Sequence, residues 1–188
     1  MATYLPPIEN PQSPVLKLIY AMSRRHFGKV MTPLKVFMAR MPLAFGMFYG
    51  KIGRLDKKLE LPLVTQMLVR ERVARINVCE FCIDIGRYVA IKSGMDEAKF
   101  EALNDYAASP LFSEAERALL DYVTELVCDK KVKPETFARL AMHYSERQIC
   151  EVVWLVASEH VYNMTNIGLN IHSDMLCDIA KERERAAA

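Results

Sequence analysis

Cys79 and Cys82, in the stretch Ile76-Asn77-Val78-Cys79-Glu80-Phe81-Cys82-Ile83, are the residues whose type and spacing best suit chemistry in this chain. A pair at i and i+3 can close a small disulfide. Near a helix start, exposed amides and the helix dipole favour the thiolate, which is the reactive form. The combination suits dithiol–disulfide exchange with a peroxide or a similar acceptor. Two buried free thiols would show the same spacing, since cysteine packs as a small hydrophobe, but C-x-x-C at a helix N-terminus favours the redox reading. Zinc would need about two further ligands with similar pairing. Cys128, Cys150 and Cys177 are scattered singly, so they read as core thiols and no metal site is expected.

Other side chains are candidates by position. His160 falls on the apolar stripe of a long helical segment, where an imidazole either meets a hydrogen-bond partner or serves as a base. Asp84, Glu71 and Glu159 are the carboxylates that could come near the thiols, and each reads first as a solvated or salt-bridged side chain. His26, His143 and His172 fall near helix ends and are assigned no role.

The elements that must hold these residues are helical. Residues 1–13 carry three prolines and no apolar period, and read as an extended arm before a single domain over 14–188. Val15, Leu16, Leu18, Ile19 and Met22 space a first helix that Gly28 ends, with Arg24, Arg25 and His26 in its last turn. Pro33 opens a second helix toward Pro42, which bends or restarts it, and Ala44, Phe45, Met47, Phe48 and Ile52 continue the spacing. This Met- and aromatic-rich run reads as core.

Pro62 opens a third helix leading straight to the cysteines, and Cys79 to Ser93 forms the next, closed at Gly94. A short helix follows from Asp96 to about Ala107. Ser113-x-x-Glu116 and Ser145-x-x-Gln148 are capping boxes. The first starts a helix with the stripe Ala115, Leu119, Tyr122, Val123 and Leu126. The second starts a long helix through Leu169 with the inward stripe Ile149, Val153, Val156, His160, Met164 and Ile167. Pro134 opens a short helix between them, and a last helix begins near Ser173. No run keeps strand period, so the fold class is all-α, a single-domain helical bundle.

Composition agrees with an ordinary folded domain: 188 residues, 52% hydrophobic and 26% charged. The 25 basic and 23 acidic side chains give a net charge of +2 and are mixed along the chain, which leaves no footprint for nucleic acid. The most apolar window, Val30 to Gly50, is interrupted by Lys35, Arg40 and two prolines, and reads as a buried or interface helix, with no membrane partner expected. The N-terminus lacks the basic-then-apolar order of a signal peptide, so the mature chain is expected to begin near Met1. Five cysteines without such a signal point to a reducing, cytoplasmic setting.

The segment Arg72-Val73-Ala74-Arg75-Ile76-Asn77-Val78-Cys79-Glu80-Phe81-Cys82 resembles the carboxymuconolactone decarboxylase-like superfamily, in the branch similar to alkylhydroperoxidase D. Phe112 to Leu120 and Val161 to Leu169 resemble further family segments, and the likeness in layout covers residues 15–175. The resemblance implies a homo-oligomer, trimer or hexamer, with a small-molecule hydroperoxide as acceptor and an external thiol reductant; no cofactor is expected. It implies Cys82 as the attacking thiol and Cys79 as its resolving partner. A branch without the dithiol decarboxylates a lactone.

The family's proton relay is a Glu twelve residues before the first cysteine and a His four after the second. Met67 and Gly86 stand there in this chain, and neither carries a proton. The expectation is a dithiol whose relay is either supplied by another group, with His160 and Asp84 as candidates, or missing. A cofactor-free decarboxylase using His160 and pocket arginines, and a non-catalytic oligomeric binding protein, are the competing readings.

Overall fold

The computed structural model describes residues 2–187, and the side chains of Phe45 and Tyr49 lie outside that description, as does Met1 with the expected chain start. Helices fill the chain: α1 (Pro14–Phe27), α2 (Pro42–Phe45), α3 (Gly53–Asp56), α4 (Leu63–Ile76), α5 (Glu80–Lys92), α6 (Glu97–Glu101), α7 (Glu114–Cys128), α8 (Pro134–Ala141), α9 (Glu146–Ile167) and α10 (Leu176–Ala187). No strand occurs among the described residues, so the architecture is all-α.

Helix α4 is the centre. It packs against α5, α7 and α9, and α10 covers the far side of α5. Val69, Val73, Leu119, Val123, Val152 and Leu155 make one fully buried cluster between α4, α7 and α9, while Leu68, Ala90, Leu103 and Leu120 make a second beside it. Local signals set the helix ends. Ser113 and Ser145 each accept the N3 amide while Glu116 and Gln148 reach back, which completes both capping boxes. Gly28 closes α1 at φ 84°, a conformation glycine adopts without a side-chain penalty.

The join between α4 and α5 fixes the dithiol. Cys79 N–H donates to the Ala74 carbonyl and Val78 N–H to the Arg75 carbonyl, with Val78 left-handed at φ 55°. This closes α4 by the reverse turn usually given to glycine. A β-branched residue there carries a cost of about 1–2 kcal/mol. The turn makes Cys79 the N-cap of α5 and puts Cys82 in its first turn.

Three expectations need correction. The second helix opens at Pro33 and restarts at Pro42 as expected, but its winding is not α throughout: it consists of a π-helical turn at Leu34–Met38, α2, a second π-helical segment at Gly46–Ile52 and α3. Pro42 removes a backbone donor, which ends the first π-helical turn and restarts the helix. On α9 the expected stripe is inward only in part. Ile149 and Val156 are buried, but Val153, Met164 and Ile167 are exposed, and Glu159, Asn163 and Asn166 are buried toward the C-terminal end, where this helix supplies the polar side chains of a network described below. Cys128 and Cys150 are exposed rather than core thiols: Cys128 ends α7, and Cys150 lies on the outer side of α9.

The N-terminal arm lies along its own chain. Tyr4 N–H meets the Leu169 carbonyl, Ile8 N–H the Lys35 carbonyl, and the Tyr20 hydroxyl donates to the Ile8 carbonyl. No helix among the described residues is long and apolar enough to cross a membrane.

Asp84 is a structural anchor. Its carboxylate accepts backbone N–H groups of Asp174, Leu176 and Cys177, at 3.0, 2.9 and 2.9 Å, and so caps α10 from the side of α5. Removing a cap and leaving its amides unpartnered costs roughly 2–3 kcal/mol. Asp84→Ala is therefore expected to lower the unfolding free energy by that amount, read as a lower urea midpoint, without altering the dithiol's reactivity. An unchanged midpoint would show that α10 docks through its apolar side chains alone.

Candidate active site

Cys79 and Cys82 are joined as a disulfide, with Cα atoms 5.2 Å apart. Both sulfurs are buried, packed with Ala74, Ile83 and Tyr162, but their surroundings differ. Cys82 lines a cavity of about 340 Å³ and Cys79 does not. The Asn166 side-chain N–H approaches Cys82 Sγ at 3.4 Å, a contact that favours negative charge on sulfur.

The cavity has an apolar wall and a polar floor. Phe27, Met31, Phe37, Met38, Phe48 and Phe81 form the wall, so part of the Met- and aromatic-rich run, which belongs to the core as expected, also lines a site. Arg70, Glu71, Asp56, Glu159, Asn166 and Cys82 form the floor. Arg70 bridges Asp56 at 2.7 Å and Glu159 at 2.9 Å, and Trp154 Nε1 donates to the other Asp56 oxygen at 2.9 Å. Glu159 accepts from Asn163 Nδ2, and Asn163 Oδ1 accepts from Asn77, the residue two before Cys79. Burial raises the Glu159 pKa, while the Arg70 guanidinium pulls against that shift.

Glu71 sits deepest, 1% exposed. Its Oε1 receives Arg75 Nε at 2.9 Å, whereas its Oε2 is buried with no hydrogen-bond partner. Burial pushes its pKa up to about 7, against the lowering effect of Arg75.

The two positions where the family relay is missing lie together beside this carboxylate. A Cβ built on Gly86 would stand 2.7 Å from Glu71 Oε2 and 3.9 Å from Met67 Cε. Any side chain at 86 would have to displace Glu71. Glu71 is one helical turn after Met67 on α4, so it approaches the same space from the next level down.

The other candidates lie elsewhere. His160 is outside the cavity lining, and its Nδ1 meets the Val156 carbonyl of its own helix at 2.9 Å. Asp84 is committed to α10, as above. His172, given no role from sequence, pairs through Nδ1 with Glu80, one of the two residues between the cysteines, at 2.8 Å. Arg70 and Asn166 have no sequence signal that separates them from surface polar residues. Their only mark is a place on helix faces that also carry buried apolar side chains.

Comparison with known proteins agrees with the fold. The model of the carboxymuconolactone decarboxylase family matches residues 36–125. The chain is 32% identical over 165 residues to the uncharacterized protein YnjA of Escherichia coli K12, covering 86% of this chain and 90% of the relative. The alkylhydroperoxidase AhpD core of an uncharacterized peroxidase-related protein from Ralstonia eutropha JMP134 superposes with a TM-score of 0.79 at 14% identity, over 95% of this chain and 96% of that one. A cysteine-to-alanine variant of the debrominase Bmp8 in complex with 2,3,4-tribromopyrrole superposes with a TM-score of 0.77 at 20% identity, over 97% and 98%.

Proposed function

The chain belongs to the carboxymuconolactone decarboxylase family, and we propose that it acts there as an AhpD-like dithiol oxidoreductase that reduces an uncharged hydroperoxide. The observation that carries this reading is the asymmetry of the pair: Cys82 lines the cavity floor while Cys79 stands bonded behind it. The Cys82 thiolate attacks the terminal peroxide oxygen, the O–O bond breaks, and the remaining oxygen leaves as an alcohol with one proton. Cys82 is then a sulfenic acid. Cys79 displaces its oxygen as water to form the disulfide, and an external dithiol reopens it by exchange.

The floor supports an uncharged acceptor. Arg70 is the cation among the described lining residues, and both Asp56 and Glu159 already hold it. An anionic lactone would meet carboxylates and no uncommitted cation, which weighs against decarboxylase chemistry. The reading includes a homo-oligomer, supported by the exposed apolar side chains Val153, Val161, Met164 and Ile167 along α9.

Mild hydrogen peroxide followed by thiol labelling tests the dithiol. Cys79 and Cys82 are expected to become resistant to the label first, with Cys128, Cys150 and Cys177 still reactive. The opposite order, with bulk thiols oxidised while both cysteines stay reduced, would end this reading.

A further inference from the structure

The peroxide step needs a proton moved twice: off the Cys82 thiol before attack, and onto the departing oxygen after it. The two residues at the family relay positions, Met67 and Gly86, carry no proton. His160 and Asp84 do not line the cavity, and Asp84 is held by three backbone amides. Asp56 and Glu159 line the floor but clasp Arg70. Glu71 is the remaining carboxylate there, and it has one oxygen free of any partner.

We propose that Glu71 is the acid–base group of this site, its Oε2 accepting the proton of the Cys82 thiol and returning it to the oxygen that leaves when the O–O bond breaks. The inference rests on the dithiol–peroxide reading and adds the residue that completes it. Geometry supports it in two ways. Glu71 Oε2 occupies the space that a side chain at Gly86 would fill. Gly86 is one turn along α5 from Cys82, and side-chain positions so spaced are about 5–6 Å apart. That gap is one that a peroxide oxygen or one water spans. Glycine at 86 is therefore what lets a carboxylate from α4 reach the place where the resemblance expects an imidazole from α5.

The balance is closed. Glu71 begins and ends ionised, and the net reaction is thiol plus hydroperoxide to sulfenic acid plus alcohol. A shuttle of this kind works best with a pKa near the operating pH, and burial has pushed Glu71 up to about 7. The charges that face it are Arg75 on its own helix, Arg87 on α5 and Glu159 on α9, with the Arg70–Asp56 pair on the same floor.

The test is the rate of Cys82 oxidation by hydrogen peroxide in reduced full-length protein, followed from pH 5 to 9 in wild type, Glu71→Gln and the double variant Glu71→Ala/Gly86→His. In Glu71→Gln the rate near neutrality is expected to fall about 10²- to 10⁴-fold. The ionisation near pH 7 is expected to vanish from the profile, leaving the thiol's own. The imidazole introduced by Gly86→His, given room by Glu71→Ala, should recover part of the rate with an ionisation of its own. A Glu71→Gln profile identical to wild type would overturn the role of Glu71 and leave the peroxide reading standing. A uniform fall that keeps the ionisation near 7 would mark a packing role and overturn it too. A wild-type Cys82 inert to peroxide would overturn the reading on which the inference rests, and the inference with it.

Discussion

Cys82→Ser is expected to abolish peroxide consumption, by at least about 10³-fold, because it removes the nucleophile of a covalent path and not one stabilising contact. Cys79→Ser should behave differently. Cys82 lines the cavity and Cys79 does not, so the first chemical step survives when Cys79 is lost. One equivalent of peroxide should be consumed at close to the wild-type rate, leaving Cys82 heavier by one oxygen in the intact mass, and turnover should then stop. The Cys82→Ser chain should gain no oxygen at Cys79, which is 1% exposed and faces Ala74 and Tyr162. Rapid-mixing kinetics with intact-mass analysis separates these outcomes. Equal oxidation of the remaining cysteine in both variants would show that the cavity does not select Cys82.

Much of this site could be read from residue types, and the exceptions share a cause. Pro62, the two capping boxes, Gly28 and Gly94 are local signals, and each sits where the structure uses it. The dithiol was legible for the same reason, since both of its partners lie within one turn of α5. Apolar periodicity held on α7, where Leu119, Tyr122 and Val123 are buried, and failed over part of α9. On α9, Val153, Met164 and Ile167 keep helical spacing yet face outward, while Glu159, Asn163 and Asn166 face inward. Periodicity assumes that burial follows polarity, and a helix that builds a polar floor while leaving apolar side chains on its outer face inverts that assumption.

The Met- and aromatic-rich run between Pro33 and Ile52 serves two uses. Leu34, Val36, Met38, Phe48 and Ile52 are buried in the core, as their composition implies, while Phe37, Met38 and Phe48 also line the cavity, a use that composition does not separate from core. Glu71 was visible only as a carboxylate near the thiols. Its importance depends on the missing side chain at Gly86, a contact between two helices that no single segment contains.

Glu71 also sets a prediction for stability. Its pKa lies at 4.5 unfolded and about 7 folded. Because the folded value is raised, the folded chain binds the extra proton between these limits, so stability falls as pH rises from about 4.5 through about 7 and stays low above. The displacement is worth roughly 3 kcal/mol. Glu71→Gln keeps the shape of the protonated acid and cannot ionise, so it should escape that penalty. Above pH 7 the variant is expected to be more stable than wild type by roughly 3 kcal/mol, and below pH 4.5 the two should coincide. Urea unfolding of both proteins across this range reads the difference directly. A gain that does not vary with pH would mean that packing and not ionisation is responsible. A loss at every pH would mean that the Arg75 pair at 2.9 Å outweighs the burial of the charge. A variant more stable and far less active at neutral pH would tie the two effects to one cause: the buried charge that weakens the fold is the one the peroxide step uses.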